Sequence, residues 1–162
     1  MPELSYLGVL RTLVRHNVDF IVVGGIAAVL HGAPIITRDI DVVHSRTPEN
    51  IARTLSALQD LDAYYRLHPE RRLRPDASHL SSPGHQLLST RFGPVDFLGT
   101  ASRDGSYEQL MPHSIEMEVG ENLTVRVLNL EKLIAIKEEI RGEKDLVMLP
   151  QLRRVLVERN RT

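Results

Sequence analysis

The chain contains no cysteine. Disulfides and thiolate metal sites are therefore excluded, and the composition suits a reducing compartment. Aromatic residues make up only 4% of the sequence, so a core has to be built mainly from Leu, Ile, Val and Ala. No apolar run approaches the roughly 20 residues that span a bilayer. The N-terminal stretch MPELSYLGVLRTLVRHNVDF has neither the basic start nor the long apolar run of a secretory signal, so the expected location is the cytoplasm, with no membrane partner. Basic and acidic residues nearly balance, at 20 and 21. The formal net charge is −1, which is not the electrostatic footprint of a general DNA-binding protein.

What is present fits one domain. A chain of 162 residues with 42% hydrophobic content can bury one sizeable core. Apolar residues at 4, 7, 10, 13 and 14 predict an amphipathic helix over 3–16. Val18–Val23 is a short β-rich run closed by Gly24-Gly25, and Ile26–Leu30 suits a short helix stopped at Gly32. Asp39–Val43 predicts a second strand. Pro48 opens a helix to Leu61, with Thr47 as its N-cap. Residues 66–84 are irregular, rich in Arg, Pro, His and Ser, and predict a long loop. Two hairpins follow, Gln86–Phe92 with Val95–Leu98 and Ser114–Val119 with Leu123–Leu128. Helices are predicted over Leu130–Arg141 and Lys144–Arg159, the second interrupted or kinked at Pro150. The expected class is α+β with a mixed sheet. The single domain spans 1–162, with a core over about 18–130 and C-terminal helices over 130–159.

The chemical clue is Thr37-Arg38-Asp39-Ile40-Asp41-Val42-Val43. Residues two apart in a strand share a face, so Asp39 and Asp41 are expected to project together while Ile40 enters the core. Aspartate is disfavoured in strands, and two on one face repel each other. A divalent cation offsets both costs, because Mg²⁺ takes hard oxygen ligands and is shared between carboxylates and substrate phosphates. Asp96 is a third aspartate embedded in an apolar strand, Gly93-Pro94-Val95-Asp96-Phe97-Leu98. Three converging carboxylates can hold two metal ions, one activating a hydroxyl and the other stabilising a leaving pyrophosphate.

The phosphate side is read from Val22-Val23-Gly24-Gly25-Ile26, a strand, a glycine turn and a helix start. Glycine lets the backbone approach a ligand, and helix N-terminal amides favour anions. The turn matches neither the Walker loop nor the dinucleotide fingerprint. On a helical wheel Lys137 falls inside the apolar stripe of Leu130, Leu133, Ile134, Ile136 and Ile140, so it needs an anionic partner or must snorkel to water. Lys144 and Asp145 lie just beyond. The seven histidines show no zinc-binding spacing, and His31 suits a cap on the short helix. Arg66, Arg71, Arg72 and Arg74 read as a solvated part of the long loop, with phosphate contact as the alternative.

Taken together, Gly24-Gly25, Thr37-x-Asp39-Ile40-Asp41 and Gly93-x-Val95-Asp96 resemble the DNA polymerase β-type nucleotidyltransferase superfamily. The nearer likeness is to small bacterial members, including abortive-infection-type nucleotidyltransferase toxins. Leu130-Glu131-Lys132-Leu133-Ile134-x-x-Lys137 and Gly142-x-Lys144-Asp145 are similar to the segment that follows the core in that group. The resemblance implies a mixed sheet with helices packed mainly on one side. It implies metal ligation and catalysis by Asp39, Asp41 and Asp96, with Mg²⁺ as cofactor in a two-metal site and Mn²⁺ as its substitute. Gly24 and Gly25 would cradle phosphate, with Thr37, Arg38, Lys137 and Lys144 as further nucleotide contacts. The expected reaction moves a nucleotide from an NTP such as ATP to RNA (tRNA ends among them), a protein or a small molecule. A toxin of this kind implies an antitoxin partner. The alternative is an inactive member that binds nucleotide or a partner. Many members carry Gly-Ser where this chain has Gly24-Gly25, so no hydroxyl is available there for the γ-phosphate.

Overall fold

The computed structural model describes residues 6–37, 39–140 and 143–161. Helix α1 (Tyr6–Arg15) leads into β1 (Phe20–Val23), α2 (Gly24–Leu30), β2 (Ile40–His44) and α3 (Pro48–Asp60). Next come β3 (Tyr64–Tyr65), a 3-10 turn (Pro69–Arg71), α4 (Ala77–Ser81) and the hairpin β4 (His85–Thr90) with β5 (Gly93–Leu98). A short α5 (Tyr107–Leu110) precedes the hairpin β6 (Ser114–Gly120) with β7 (Leu123–Leu128). Helices α6 (Leu130–Ile140) and α7 (Glu143–Asn160) complete the described chain.

The strands form one mixed sheet in the order β3-β4-β5-β2-β1-β7-β6. Two central pairs are parallel, β2 with β5 and β1 with β7, and the others are antiparallel. The class is α+β, as the sequence predicts. All four residues of β1 are buried, with Ile21 and Val22 wholly so, which is why its run of Phe, Ile and Val is unbroken. In β2 and β5, by contrast, Ile40, Val42, Val95 and Phe97 are buried while Asp41 and Asp96 interrupt the apolar pattern.

Local chemistry accounts for the ends of the elements. Thr47 accepts a hydrogen bond from the Asn50 amide, and Pro48 occupies the first turn of α3, where its missing N–H is no loss. Asn129 caps α6 by accepting from the Lys132 amide at 2.8 Å. Helix α7 runs through Pro150 without ending there, at the loss of one backbone hydrogen bond. The wholly buried Asn50 donates to the carbonyls of Asp19 and Ser45 and accepts from the Asp19 amide. It thereby ties α3 to the entry of β1 and the exit of β2.

The predicted 66–84 loop is more ordered than its composition suggests. Tyr64 and Tyr65 pair with β4, and Asp76 and His79 form a reciprocal cap that starts α4. Wholly buried Leu80 anchors that helix. Its carbonyl accepts a hydrogen bond from His44 Nε2 at 2.7 Å, and the His44 ring meets Phe97 edge-on.

Burial holds His44 below its ordinary value of 6.5, outweighing the hydrogen bond to Leu80. The native state therefore binds fewer protons than the unfolded chain between the two values. The stabilisation is complete above pH 6.5 and is lost as pH falls toward the lowered native value. His31 is depressed in the same direction, again chiefly by burial. Chemical denaturation should show stability falling as pH drops below 6.5, with His44→Gln flattening part of that slope. The carboxylates Asp60 and Asp62 are held below their ordinary 3.8 by Asp60's hydrogen bond from His16 and Asp62's from Arg74, so their contribution is complete above pH 3.8 and is lost only below it. A profile that stays flat as pH falls below 6.5 would contradict a neutral buried His44.

Candidate active site

Asp41 and Asp96 are register partners across the parallel β2–β5 pair. Neighbouring strands lie about 4.8 Å apart, and in-register residues point to the same face. Two carboxylates from segments more than fifty residues apart are thus set side by side. On its other flank Asp41 pairs with Val23, the last residue of β1. The chain then turns at Gly24, whose φ is +67°. A Cβ built on Gly24 would lie 2.3 Å from Asp41 Oδ2, and one on Gly25 would lie 2.9 Å from Thr37 Oγ1. The glycine pair therefore has a packing reason that the sequence did not reveal. Gly24 leaves the space that the Asp41 carboxylate fills, and Gly25 leaves the space for Thr37. Helix α2 that follows has only seven residues.

Asp39 is half-buried and lies one residue before β2. The ladder with β5 begins at Ile40, so strand pairing does not impose on Asp39 the alternation expected to align it with Asp41. Arg38 and the side chain of Lys144 lie outside the described residues, as does Gly142.

Lys137 is buried, at 8% exposure, as its place in the apolar stripe predicts. Leu130, Leu133, Ile134 and Ile136 are buried beside it, whereas Ile140 at the helix end is 54% exposed. A cavity of about 180 Å³ opens between Gly24, Asp41 and Leu98 of the sheet side and Leu133, Lys137 and Ile140 of α6. It brings a carboxylate, a buried ammonium and the glycine turn onto one largely apolar-walled space. Larger cavities of about 500 and 470 Å³ lie elsewhere, and neither is lined by Gly24, Asp41 or Lys137. Volume alone therefore does not select the site; the register pairing of Asp41 with Asp96 beside this cavity does.

Asp96 has a partner the sequence did not reveal. Arg66 Nη1 donates to Asp96 Oδ1 at 2.8 Å, and the same nitrogen donates to the Leu88 carbonyl at 2.8 Å. Among the described residues, no three Asp, Glu or His side chains already form a metal-binding group. The donor chemistry nonetheless suits a hard divalent cation. Asp41 and Asp96 supply paired carboxylate oxygens on one face, and a cation already stands at Asp96 in the form of the Arg66 guanidinium.

His31 takes the capping place expected of it. It follows α2, and its Nε2 lies 2.8 Å from the Leu128 carbonyl while Arg159 Nη2 donates to Nδ1 at 3.1 Å. An imidazole that donates through Nε2 and accepts at Nδ1 is neutral. It clamps α2, β7 and α7 together.

No family model matches the chain, and no curated protein matches its sequence. Solved structures share its fold. The Thermotoga maritima protein TM1012, provisionally a nucleotidyltransferase, aligns with a TM-score of 0.60 at 20% identity, over 98% of this chain and 96% of that one. The lincosamide antibiotic adenylyltransferase LnuA, in its lincomycin-bound form, aligns with a TM-score of 0.58 at 16% identity, over 92% and 94%. Likeness at these identities defines the architecture, which is the nucleotidyltransferase fold. No helix among the described residues is long and apolar enough to cross a membrane.

Proposed function

We propose that this chain is a divalent-metal-dependent nucleotidyltransferase. The observation that carries the proposal is the in-register placement of Asp41 and Asp96 on one face, with Gly24 shaped around the Asp41 carboxylate. Asp39, Asp41 and Asp96 would hold the cation. Bound there, Mg²⁺ or Mn²⁺ supplies charge neutralisation for the triphosphate and lowers the pKa of the attacking hydroxyl. Lys137 adds a buried positive charge on the same cavity as Asp41 and offsets phosphate charge from the helix side. The turn at Gly24 and Gly25 allows the nucleotide to approach the backbone closely. An acceptor oxygen then bonds to the α-phosphorus as the bond to pyrophosphate breaks. Arg66 engages Asp96 Oδ1, so Oδ2 is the oxygen suited to take the hydroxyl proton.

The acceptor is RNA, a protein or a small molecule. LnuA, an antibiotic adenylyltransferase, shows that this fold serves small-molecule acceptors. The toxin-like segment at 130–145 supports RNA or protein, and with it a toxin held by an antitoxin; growth arrest on expression, relieved by Asp39→Ala, would support that role. One observation favours a second reading, a nucleotide-binding protein without chemistry: the third carboxylate is engaged by a guanidinium. The deciding experiment incubates the protein with each α-labelled NTP, Mg²⁺ and cell extract, then separates RNA, protein and small-molecule fractions. Metal-dependent label in one fraction, with matching pyrophosphate release, is expected. Nucleotide binding without release for all four NTPs, with Mg²⁺ and with Mn²⁺, selects the binding protein instead.

A further inference from the structure

The Arg66–Asp96 pair is less exposed than several arginine–carboxylate pairs among the described residues. Asp60, Asp62, Asp19 and Glu138 meet arginines at the surface, where such pairs contribute little. The Asp96 side chain is only 15% exposed and that of Arg66 31%. Arg66 is also fixed along its length. Its backbone amide donates to the Leu87 carbonyl at 3.0 Å, directly after β3, and its guanidinium bonds the Leu88 carbonyl as well as Asp96. The structure thus aims one cation, through two anchors on β4, at a carboxylate that stands in register with Asp41.

Two adjacent carboxylates on one strand face repel each other. A guanidinium on one of them removes much of that cost in the metal-free protein. A divalent cation offered to the same carboxylate then meets a positive charge a few ångströms away, which raises the cost of binding.

On the metal-site reading above, we propose that Arg66 is a built-in counter-cation that competes with the divalent ion for Asp96 and so sets the affinity of the site. Arg66 is a positioning residue in this scheme. It occupies one oxygen of the Asp96 carboxylate and weakens the site for bare metal.

A structural role and a competing role predict opposite signs. If Arg66 merely held Asp96 in shape, its removal would loosen the site and weaken metal binding. If it competes, removal tightens binding. Mn²⁺ titration of the nucleotide-free protein, followed by electron paramagnetic resonance, is therefore expected to show Arg66→Gln binding about tenfold more tightly than wild type. Arg66→Lys, which keeps the charge, should stay near wild type. Thermal melts give a second readout. Arg66→Gln should melt lower than wild type in chelator and gain more from added Mn²⁺. Equal or weaker Mn²⁺ binding by Arg66→Gln overturns the competing role; if Asp41→Asn still abolishes binding, the metal-site reading survives. Absence of Mn²⁺ binding in both wild type and Arg66→Gln overturns the two together.

Discussion

Asp41→Asn should reduce nucleotidyl transfer by about 10³-fold or more, the scale expected when a charged group at the reacting centre is removed. The substitution keeps the side-chain volume and takes away one negative charge. Asp41 occupies the most constrained place in the site. It pairs with Val23 on one flank and Asp96 on the other, and its carboxylate fills the space left by Gly24. An amide there fits the same space but is a far poorer partner for a hard cation. The readout is pyrophosphate release by a variant whose circular dichroism spectrum matches wild type. Undiminished turnover would remove Asp41 from the chemistry.

The second large effect is expected at a residue with no side chain. In Gly24→Ala the new methyl group cannot coexist with Asp41 Oδ2, which lies 2.3 Å from the ideal Cβ position. The backbone there has a φ of +67°, where an L side chain costs roughly 1–2 kcal/mol. The carboxylate must move, and activity should fall nearly as far as in Asp41→Asn, with stability lower by about 1–3 kcal/mol. Gly25→Ala is the control. Its φ is not positive, and the obstacle is the Thr37 side chain at 2.9 Å, so both losses should be smaller. Parallel activity assays and urea titrations of the two variants check this. Full activity in Gly24→Ala would show that the seat of the Asp41 carboxylate does not matter.

Much of this arrangement was legible in the chain because it rests on short periods. Alternation marked β2 and paired Asp39 with Asp41, of which only Asp41 lies in the ladder, and an aspartate inside an apolar run singled out Asp96. The 3.6-residue wheel placed Lys137 inward, where it lies. Thr47-Pro48 marked the start of α3 at the residue where it begins. Other features depend on contacts that no local pattern encodes. Arg66 reaches Asp96 across thirty positions, and its surroundings read as solvated loop because Arg71, Arg72 and Arg74 share its composition. The order in 66–84 comes from a reciprocal cap between Asp76 and His79 and from buried Leu80, whose carbonyl meets a distant His44. Gly24-Gly25 reads in the sequence as a tight turn or a phosphate cradle, and the structure makes the two glycines the first residues of α2. The nearer reason for glycine at position 24 is the Asp41 carboxylate of the same chain. Arg38 and the Lys144 side chain fall outside the described residues and stay expectations.

The sheet order has a consequence for biosynthesis. Strand β1 emerges well before its second neighbour β7, with which it pairs through Ile21 with Arg126 and Val22 with Val127. Until about a hundred further residues have been translated, this most apolar strand is an open edge, able to recruit another nascent chain. The ribosome therefore releases the carboxylate pair before the strand that shields its scaffold. Folding yield should consequently depend on how fast the final hairpin follows, rather than on the residues that would carry out the chemistry.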